Sequence, residues 1–410
     1  MKKIIALLLA CMMIVGMFAG CQSAKTEEIT LKVWAPQEDH GDDTKWLNQM
    51  LKKFEEAHPE YKITWDIGVC GEGDAKTLVC ADASAAGDVY MFANDQIGSL
   101  LEAGALSKLG GEYADYVKNN YSSTYINSVT YNGDIYGFPM TCNTWFMYYN
   151  KSLVSDEDVK TLEALLEKGT VAFPMTTAWY NGALFLGNGC TLFGETGADA
   201  AAGVQFGGEA GYAAALRMVE LMAHPNFIDD ADSKGNTGLK DGSVVAYFNG
   251  SWEYTNQDKT GVYDVLGENL GAAAMPTVTI DGKAVNLTSM AGSKAVGVNP
   301  HCKNPKAAME LAAFLASPEA QLARFEIRGI TPAVTSLASN EKVMASAVAK
   351  AEMEVMANCS VLQPSLPEMS SYWDAMGTFG ANIKNGVVTK DNYKAEVDKL
   401  MEALNPNGGL

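Results

Sequence analysis

Residues 87–106 read GDVYMFANDQIGSLLEAGAL, a short apolar and aromatic run followed at once by a longer segment. We interpret DVYMFA (88–93) as a buried strand and DQIGSLLEAGALSKL (95–109) as a helix. A strand that leads directly into a helix is the unit from which parallel sheets are built. This stretch therefore predicts the α/β class.

The sequence before this stretch extends the same alternation. ITLKVWAP (29–36) is β-branched and apolar, and it ends at a proline. The segment at 44–60 carries its large apolar residues at helical spacing, YKITWDIGV (61–69) is strand-like, and residues 75–87 can form a helix. Ligands of such sheets bind at the carboxyl ends of the strands, where Trp34 and residues 92–95 fall.

A second α/β pattern begins near Thr141. We predict strands, in order, at 145–150, 171–175, 243–250, 271–276 and 287–299, and helices at 155–169, with Ser155 as its N-cap, near 178–188, at 209–223, 305–316 and 318–325, and beyond 370. No repeat or flexible linker separates the two patterns. The chain is therefore expected to form two lobes and to cross between them more than once.

Two aromatic residues stand at an unusual place in AYFNGSWEY (246–254). The strand pattern stops at Asn249-Gly250, and Trp252 and Tyr254 follow on the turn. Side chains on a turn meet solvent or a ligand, whereas core aromatics usually lie within a strand or helix. Core packing remains the alternative for any one of them.

The N-terminus has the layout of a secretion signal. Two lysines precede an uncharged run at 4–15 that is too short to span a bilayer. The run leads to FAGC (18–21), which resembles a bacterial lipoprotein signal. We predict a signal peptide at 1–20, lipidation of Cys21 and a polar tether at 21–28; secretion without lipid is the alternative.

The composition limits the classes of partner and the number of domains. The formal net charge is −19, so nucleic acid is not an expected partner. No later segment is long and apolar enough to cross a membrane. The mature chain of about 390 residues exceeds one hydrophobic core and predicts two domains.

Motifs of enzymes and metal sites are missing from the sequence. The six cysteines beyond Cys21 show no CxxC spacing, so no zinc, redox site or other cofactor is expected; Cys70 and Cys80 either pair or remain buried thiols. No HExxH or GxSxG occurs, and GVCGEGDAKT (68–77) lacks the adjacent Gly and Lys of a phosphate loop. A glycoside hydrolase stays open, because it needs only two carboxylates across a cleft.

Five stretches, in order, resemble the substrate-binding proteins of carbohydrate ABC transporters, of the maltose/maltodextrin-binding type. They are KVWAP with the helix that ends KKFEEAHPEYKIT, GDVYMFANDQIGSLLEAGAL, YNGDIYGFPM with YYNKSLV, GSVVAYFNGSWEY, and LPEMSSYW. The resemblance covers nearly all of residues 29–400. It implies a two-lobe periplasmic-binding-protein-like fold of type II, in which each lobe is a mainly parallel sheet with helices on both faces. Three crossover segments join an N-terminal lobe at 29–140 plus 284–331 to a C-terminal lobe at 142–282 plus 333–410.

The resemblance also implies which residues meet a sugar in the interlobe cleft. Aromatic platforms for sugar rings fall at Phe92, Trp179, Trp252, Tyr254 and Trp373, with Trp145 and Trp34 as weaker candidates. Polar partners for hydroxyls fall at Glu38, Asp39, Asp95 and Asn143. The alternatives are core packing for the aromatic residues, a helix N-cap for Asp95, and a solvated acidic loop for Glu38 and Asp39. Gln96, Asn143 and Thr177 depart from the maltose-binding pattern, which leaves the identity of the sugar open.

As a whole, the sequence predicts the extracellular component of an ABC importer. The expected ligand is an oligosaccharide, most closely a maltodextrin or related α-glucan, and the expected partners are the permease subunits. The protein is expected to be a monomer with no enzymatic activity, held by its lipid at the outer face of the cell membrane. A binding protein for another oligosaccharide, a secreted glycoside hydrolase and a glycan-binding surface protein are the alternatives.

Overall fold

The computed structural model of the chain describes residues 26–194, 197–255 and 259–406. The predicted signal peptide, Cys21 and most of the predicted tether lie outside the described residues. Two main sheets, each with its own hydrophobic core, make up the described part of the chain. We refer to the parts built on the first and second sheet as the first and second lobe.

Seventeen strands form within the described residues. In chain order they are β1 Glu27–Ala35, β2 Tyr61–Val69, β3 Val89–Ala93, β4 Thr130–Tyr131, β5 Asp134–Ile135, β6 Phe138–Asn143, β7 Phe146–Asn150, β8 Val171–Phe173, β9 Thr191–Leu192, β10 Val204–Gln205, β11 Phe227–Asp229, β12 Ala246–Asn249, β13 Leu270–Ala273, β14 Thr277–Ile280, β15 Lys283–Asn286, β16 Ser289–Val298 and β17 Ser360–Leu362.

The helices flank these strands. The α-helices of the described residues are Trp46–Ala57, Ala75–Ala81, Ile97–Glu102, Gly111–Asn120, Ser123–Ser128, Leu162–Lys168, Ala178–Gly187, Gly208–Met222, Lys234–Asp241, Val262–Leu266, Pro305–Leu315, Pro318–Arg328, Glu341–Ala345, Ala347–Asn358, Met369–Lys384 and Tyr393–Leu404. Short 3-10 helices at Gln37–Asp39, Asn94–Gln96 and Ser251–Glu253 follow β1, β3 and β12.

The first sheet has the order β2-β1-β3-β16, with β6 and β17 both paired to β16. The β1–β2 and β1–β3 pairs are parallel, whereas β16 runs antiparallel to β3 and β6. All five residues of β3 are buried because helices cover both faces of this sheet. Trp46, Phe54, Phe92 and Phe138 fill its core.

The second sheet has the order β11-β8-β12-β7-β13. Its β8 strand is parallel to β11 and β12, and β7 is antiparallel to β12 and β13. Tyr148, Phe173, Phe185 and Tyr247 are among the large side chains that fill the second core. Helices Ala178–Gly187 and Met369–Lys384 pack on each other in this lobe.

The chain crosses between the lobes at three places. It leaves the first sheet between β6 and β7, returns near the start of β16, and crosses again beyond Leu337, which still packs in the first core. Before that third crossing, Pro332 bridges to Thr141 of β6. Strand β16 takes part in both lobes, because Met290 packs in the second core while Val296 packs in the first. The short crossings place the two lobes side by side with a cleft between them.

The sequence patterns predicted most of these elements, with two corrections. The helix predicted at 155–169 begins only at Leu162, and Thr161 rather than Ser155 is its N-cap, since the Thr161 hydroxyl accepts a hydrogen bond from the Ala164 amide at 3.1 Å. Both sheets also contain antiparallel strands. Strand β7 follows β6 after two residues, and so short a connection leaves no room for the crossover helix that parallel pairing requires.

Two further predictions concern membranes and thiols. None of the helices in the described residues is long and apolar enough to span a bilayer. Cys70 and Cys80 do not form a disulfide, and the other described cysteines are free thiols as well. Burial raises the pKa of the Cys70 thiol to about 11, as expected for an unreactive side chain in an apolar environment.

Candidate functional site

A cavity of about 490 Å³ lies between the two lobes, within the usual range for small-ligand sites. The first lobe contributes mostly polar residues and the second lobe contributes aromatic ones. The lining residues are Gly73, Lys76, Thr77, Ala93, Asp95, Gln96, Asn143, Trp179, Trp252, Lys294, Gln363 and Trp373.

Trp252 owes its position to the Asn-Gly turn that the sequence singled out. Strand β12 ends at Asn249 and the 3-10 helix Ser251–Glu253 follows. A Cβ atom on Gly250 would lie 2.0 Å from ring carbon Cζ3 of Trp252, so only glycine lets the indole lie this close to the backbone. Tyr148 donates its hydroxyl hydrogen to the Gly250 carbonyl at 3.1 Å, and Tyr180 donates to Asn249 Oδ1 at 3.2 Å. These two bonds fix the turn and hence the indole.

Trp179 extends this aromatic surface. It lies in the first turn of helix Ala178–Gly187, and its ring stacks on Trp252 with centroids 5.9 Å apart and planes 29° apart. Its indole nitrogen donates to Gln363 Oε1 at 2.9 Å. The two rings therefore form one platform, which the Gln363 amide holds in orientation.

Trp373 supplies a third aromatic wall from helix Met369–Lys384. Its neighbour Tyr372 is fully buried and packs edge-on against it, with centroids 5.1 Å apart. The Tyr372 hydroxyl donates to the Ala178 carbonyl at 3.1 Å, which ties this helix to the helix that carries Trp179. The three tryptophans are thus positioned by one packed unit of the second lobe.

Asp95 faces this aromatic wall from the first lobe. It lies in the 3-10 helix after β3 and lines the cavity. Burial raises the pKa of its carboxyl, and the charge of Lys76 opposes that shift. Gln96 accepts from the Lys76 amide at 2.8 Å and donates to the Gly73 carbonyl at 2.7 Å. This amide clamp holds the loop that brings Lys76 to the cavity.

Lys294 is the charged residue that projects from β16 into the cleft. Its ammonium lies 4.8 Å from the centroid of the Trp252 ring, within the range of a cation–π contact. Burial alone would raise the pKa of Glu72, but the charges of Lys294 and Arg324 hold that pKa at about 2. Lys294 therefore contacts an aromatic ring of one lobe and stabilises a carboxylate of the other.

Asn143 and Gln363 also line the cavity. Asn143 ends β6 and is 7 % exposed, and Gln363 follows β17 and is 3 % exposed. The backbone N–H of Gln363 donates to the Ala291 carbonyl at 2.8 Å. Both residues thus present side-chain amides from rigid positions next to β16.

A second basin of about 590 Å³ also has Trp252 in its wall. Glu38, Lys45 and Arg328 reach it from the first lobe, and Asn236 reaches it from the second. Because Trp252 lines both cavities, the interlobe cleft extends on two sides of this indole.

Phe92 and Trp145 do not reach either cavity, so their predicted roles as sugar contacts are corrected here. Both are fully buried. Phe92 lies inside β3, which is covered on both faces, and packs against Tyr90. Trp145 packs edge-on against Phe173, and its nitrogen donates to the Trp179 carbonyl at 3.4 Å. Trp145 therefore supports Trp179 from behind.

Asp39 is also corrected, because it forms a buried ion-pair network instead of lining the cleft. It is fully buried and accepts from Arg324 at 2.5 Å and from Arg328 at 2.9 Å. Arg324 also donates to Glu72 at 2.8 Å. Its neighbour Glu38 is exposed and lines the second basin.

Tyr254 and Trp34 lie outside both cavities. The Tyr254 ring stacks on Tyr263 with centroids 4.7 Å apart, and it passes so close to Gly329 that a Cβ there would lie 2.5 Å away. Trp34 packs over Gly68, where an added Cβ would lie 2.5 Å from its ring. Neither residue lines either cavity, and their roles as sugar contacts stay predictions.

The structure adds cavity residues that the sequence reasoning missed. Lys294 had a visible signal in the sequence, since it is the one charged residue of strand β16. Lys76 lies in the first turn of helix Ala75–Ala81, directly after the glycine-rich segment that lacks the motif of a phosphate loop. Gln363 gave no signal, because it follows a three-residue strand in an irregular segment.

This arrangement suits a neutral ligand with apolar ring faces and many hydroxyl groups. The tryptophans offer flat, rigid surfaces for the ring faces, and Asp95, Asn143 and Gln363 offer hydrogen-bond acceptors and donors. No cluster of residues suited to a metal ion occurs in the described part of the chain.

Comparisons with known proteins agree with this geometry. The chain is 27% identical over 375 residues to a maltooligosaccharide ABC transporter solute-binding lipoprotein of Streptococcus pneumoniae (strain ATCC BAA-255 / R6), covering 87% of this chain and 84% of that protein. It is 27% identical over 335 residues to a galactooligosaccharide-binding protein of Bacillus subtilis (strain 168), covering 77% and 75%. A structure solved with acarbose superposes with a TM-score of 0.87 at 46% identity, covering 92% of this chain and 99% of that one.

The family comparison spans both lobes. The sequence profile described as "Bacterial extracellular solute-binding protein" matches residues 49–352, which include the whole second sheet and all of the first sheet except β1 and β17. Because this match covers most of the chain, the protein belongs to the bacterial extracellular solute-binding proteins.

Proposed function

We propose that this solute-binding protein captures an oligosaccharide, most closely a maltodextrin or related α-glucan, and delivers it to an ABC importer. The observation that carries the proposal is the juxtaposition of Trp179, Trp252 and Trp373 with the polar wall around Asp95 in one interlobe cavity. Relatives named for maltooligosaccharide binding and a similar structure solved with acarbose support the same class of ligand. Since the family consists of solute-binding proteins, we do not propose that the protein is a glycoside hydrolase.

Each lobe has its own part in binding. The tryptophans of the second lobe stack on sugar rings and exclude water from one side of the ligand. Asp95 accepts hydroxyl hydrogens from the other side, and charge-assisted bonds of this kind are the strong ones. Glu38 contributes from the second basin when the ligand is long enough to pass Trp252. Bending at the three crossings brings the polar residues of the first lobe towards the tryptophans of the second lobe and closes the cleft.

A different oligosaccharide is the second candidate. The galactooligosaccharide-binding relative is as similar to this chain as the maltooligosaccharide-binding one. Stacking on indole rings does not by itself select a linkage, so the polar residues Asp95, Asn143 and Gln363 would decide between the two classes.

We propose that two rigid bodies move during closure. They correspond to 29–140 plus 284–331 and to 142–282 plus 333–410. Core membership refines this division at two points. Ala333, Val334 and Leu337 pack with the first lobe, and at the crossing into β16 Leu287 and Met290 pack with the second lobe. The flexing part of that crossing then lies between Met290 and Lys294.

We further propose that a lipid on Cys21 anchors a monomeric protein to the outer face of the cell membrane, beside its permease. The signal-like sequence at 18–21 and the lipoprotein relatives support this anchor. A Cys21→Ala variant expressed in the native host should move from the membrane fraction to the medium. Unchanged membrane retention of that variant would contradict the anchor.

The direct test of the proposed function is a calorimetric panel with the mature protein. Maltotriose, maltotetraose, acarbose and a β-linked galactotriose are titrated under one set of conditions. Binding of the α-glucans with at least tenfold preference over the galactotriose supports the maltodextrin assignment. The reverse order favours the second candidate, and no binding of any of the four rejects both.

A further inference from the structure

Glu352 is a buried carboxyl group that the proposed binding site does not use. It lies on helix Ala347–Asn358 of the second lobe and is fully buried. Within the described part of the chain, neither of its carboxyl oxygens has a hydrogen-bond partner. A buried acid in this state costs stability unless it serves a purpose, so its surroundings are informative.

The surroundings of Glu352 join three functional segments. The hydroxyls of Thr331, beside the Pro332–Thr141 bridge, and of Ser251, in the turn that carries Trp252, favour its ionised form, as does the ammonium of Lys294. The hydroxyls of Thr331 and Thr141 are themselves buried without a hydrogen-bond partner among the described residues. Glu352, Thr331 and Thr141 are therefore buried polar groups that lie near one another without a hydrogen bond of normal geometry among the described residues.

Few other titratable groups act on this carboxyl. Tyr125, Cys142 and Tyr148 face it from helix Ser123–Ser128, β6 and β7, and burial raises the pKa of each of them, so all three stay neutral near pH 7. The packed strands β13 and β17 carry no titratable side chain. In the two remaining packed elements, Glu253 is bonded by Asn236, Lys342 is paired with Glu326, and Glu341 is exposed. Among these groups, Lys294 is thus the cation whose charge acts on the Glu352 carboxyl.

Lys294 connects this carboxyl to the ligand platform. Its ammonium lies over one face of the Trp252 ring. A sugar ring that stacks on this same face would have to displace the ammonium. When a sugar displaces the ammonium, Glu72 and Glu352 are the carboxyls within its electrostatic reach. Glu72 is already bonded by Arg324 at 2.8 Å, whereas Glu352 has both oxygens available.

We propose that Glu352 is a positioning residue that receives Lys294 when sugar stacks on Trp252, so that sugar binding releases a proton from the hinge. This inference rests on the proposed function, because it assigns regulation to the same site. In the unliganded protein, burial raises the pKa of Glu352 to about 7, so the carboxyl is largely protonated at mildly acidic pH. Approach of the ammonium favours the ionised form and lowers that pKa.

The sign of the effect follows from proton linkage. Because the liganded protein holds fewer protons, sugar affinity rises with pH up to about 7 and is constant above it. Each unit by which binding lowers the pKa of Glu352 corresponds to about a tenfold gain in affinity between acidic and neutral pH.

The test measures proton release by calorimetry. Maltotetraose is titrated into the mature protein at pH 6.5 in two buffers of different ionisation enthalpy, and the experiment is repeated at pH 8.5. We expect release of a fraction of a proton at the lower pH and none at the higher. The Glu352→Gln variant should release markedly less, while Glu354→Gln, an exposed glutamate on the same helix, should behave as the unaltered protein does. Asp95 is present in all variants, so the difference isolates Glu352.

A second arm needs no sugar. Tryptophan fluorescence of the unliganded protein should change with a midpoint near pH 7, and Glu352→Gln and Trp252→Phe should each remove that transition. Equal proton release by Glu352→Gln and the unaltered protein, or a fluorescence transition that persists in Glu352→Gln, overturns the proposal. If no maltodextrin binds at any pH, the proposed function has failed, and the fluorescence arm alone decides whether Glu352 and Trp252 are coupled.

Discussion

Trp252 and Trp145 show how position, and not residue type, assigns a role. Trp145 is fully buried two residues beyond β6 and contacts Phe173 in the second core. Trp252 is partly exposed, follows a strand end and lines both basins of the cleft. The first indole therefore stabilises the fold, and the second is available to a ligand.

Trp252→Ala should weaken sugar binding far more than it lowers stability. Central aromatic anchors contribute about 2 kcal/mol or more to binding, which is roughly a thirty-fold loss in affinity. Trp252→Phe should keep part of the affinity because a smaller ring still stacks. Calorimetry with maltotetraose and thermal unfolding of the unliganded variants measure the two effects separately.

Trp145→Ala is the matched control for this prediction. Removal of a fully buried tryptophan costs about 3 to 5 kcal/mol of unfolding free energy. Its melting temperature should therefore fall well below that of Trp252→Ala. If Trp252→Ala loses as much stability and the remaining folded protein binds sugar normally, Trp252 belongs to the core and the proposed site loses its central residue.

Glu352→Gln should make the protein more stable at alkaline pH and not at acid pH. Burial raises the pKa of Glu352 from its ordinary value of 4.5 to about 7, so between these values the folded state holds a proton that the unfolded state has lost. The contribution of Glu352 to stability is thus fully present below pH 4.5 and is lost as the pH rises to about 7, by roughly 3 kcal/mol at most. A glutamine side chain does not ionise, so the Glu352→Gln variant does not lose this stability as the pH rises.

Thermal unfolding at pH 4.5 and pH 8 checks this prediction. The variant should melt a few degrees above the unaltered protein at pH 8 and close to it at pH 4.5. An equal shift at both values would mean that the substitution acts through packing, and not through ionisation.

At the scale of single elements, three strand ends build most of the cleft. Strands β1, β3 and β12 each end in a 3-10 helix, and these carry Glu38, Asp95 and Trp252. The 3-10 helix after β1 also directs Asp39 inward to Arg324, so the adjacent residues Glu38 and Asp39 have opposite roles. A 3-10 turn sends neighbouring side chains in different directions, which is why one such element supplies both a cavity residue and a core residue.

Gly250→Ala tests whether the turn positions the indole. The new Cβ would lie 2.0 Å from the Trp252 ring, so the ring has to move. Overpacking of this kind costs about 1 to 3 kcal/mol, and we expect affinity for maltotetraose to fall about tenfold or more. Gly110→Ala is the control, because a Cβ there meets nothing within 4 Å. Equal affinity of the two variants would show that the indole tolerates displacement.

The same elements show how far sequence patterns reach into the site. The Asn-Gly turn before Trp252 and the polar residues after β3 were visible because they interrupt apolar runs. Phe92 was misplaced because the pattern locates a strand end only to within a residue or two, and Phe92 lies just inside it. Asp39 was misplaced because its partner Arg324 is 285 residues away along the chain, beyond any local pattern.

At the scale of the whole molecule, the alternation of strands and helices predicted two α/β lobes. It did not reveal that β16 runs antiparallel to its neighbours, since strand direction depends on where a crossing chain arrives. Nor did it reveal Gln363, whose place in the cleft is set by the pairing of β17 with β16. Long-range pairing therefore limits what sequence patterns can predict here.

Sugar binding should make the whole molecule more compact. Two lobes joined by three short crossings form a hinge, and a ligand that contacts both walls favours the closed arrangement. Small-angle scattering with saturating maltotetraose should give a smaller radius of gyration than the unliganded protein. The Trp252→Ala variant at the same sugar concentration is the control. Tight binding with an unchanged scattering profile would contradict the hinge mechanism.

The double membership of β16 has a consequence for how the protein unfolds. Its first residues pack in the second core and its last residues in the first, so neither core is complete unless this one strand is in place. Loss of either lobe would then withdraw part of the other, and the two should melt as a single cooperative unit in scanning calorimetry. For the same reason a fragment cut at any crossing should not fold alone, but two complementary fragments should reassociate.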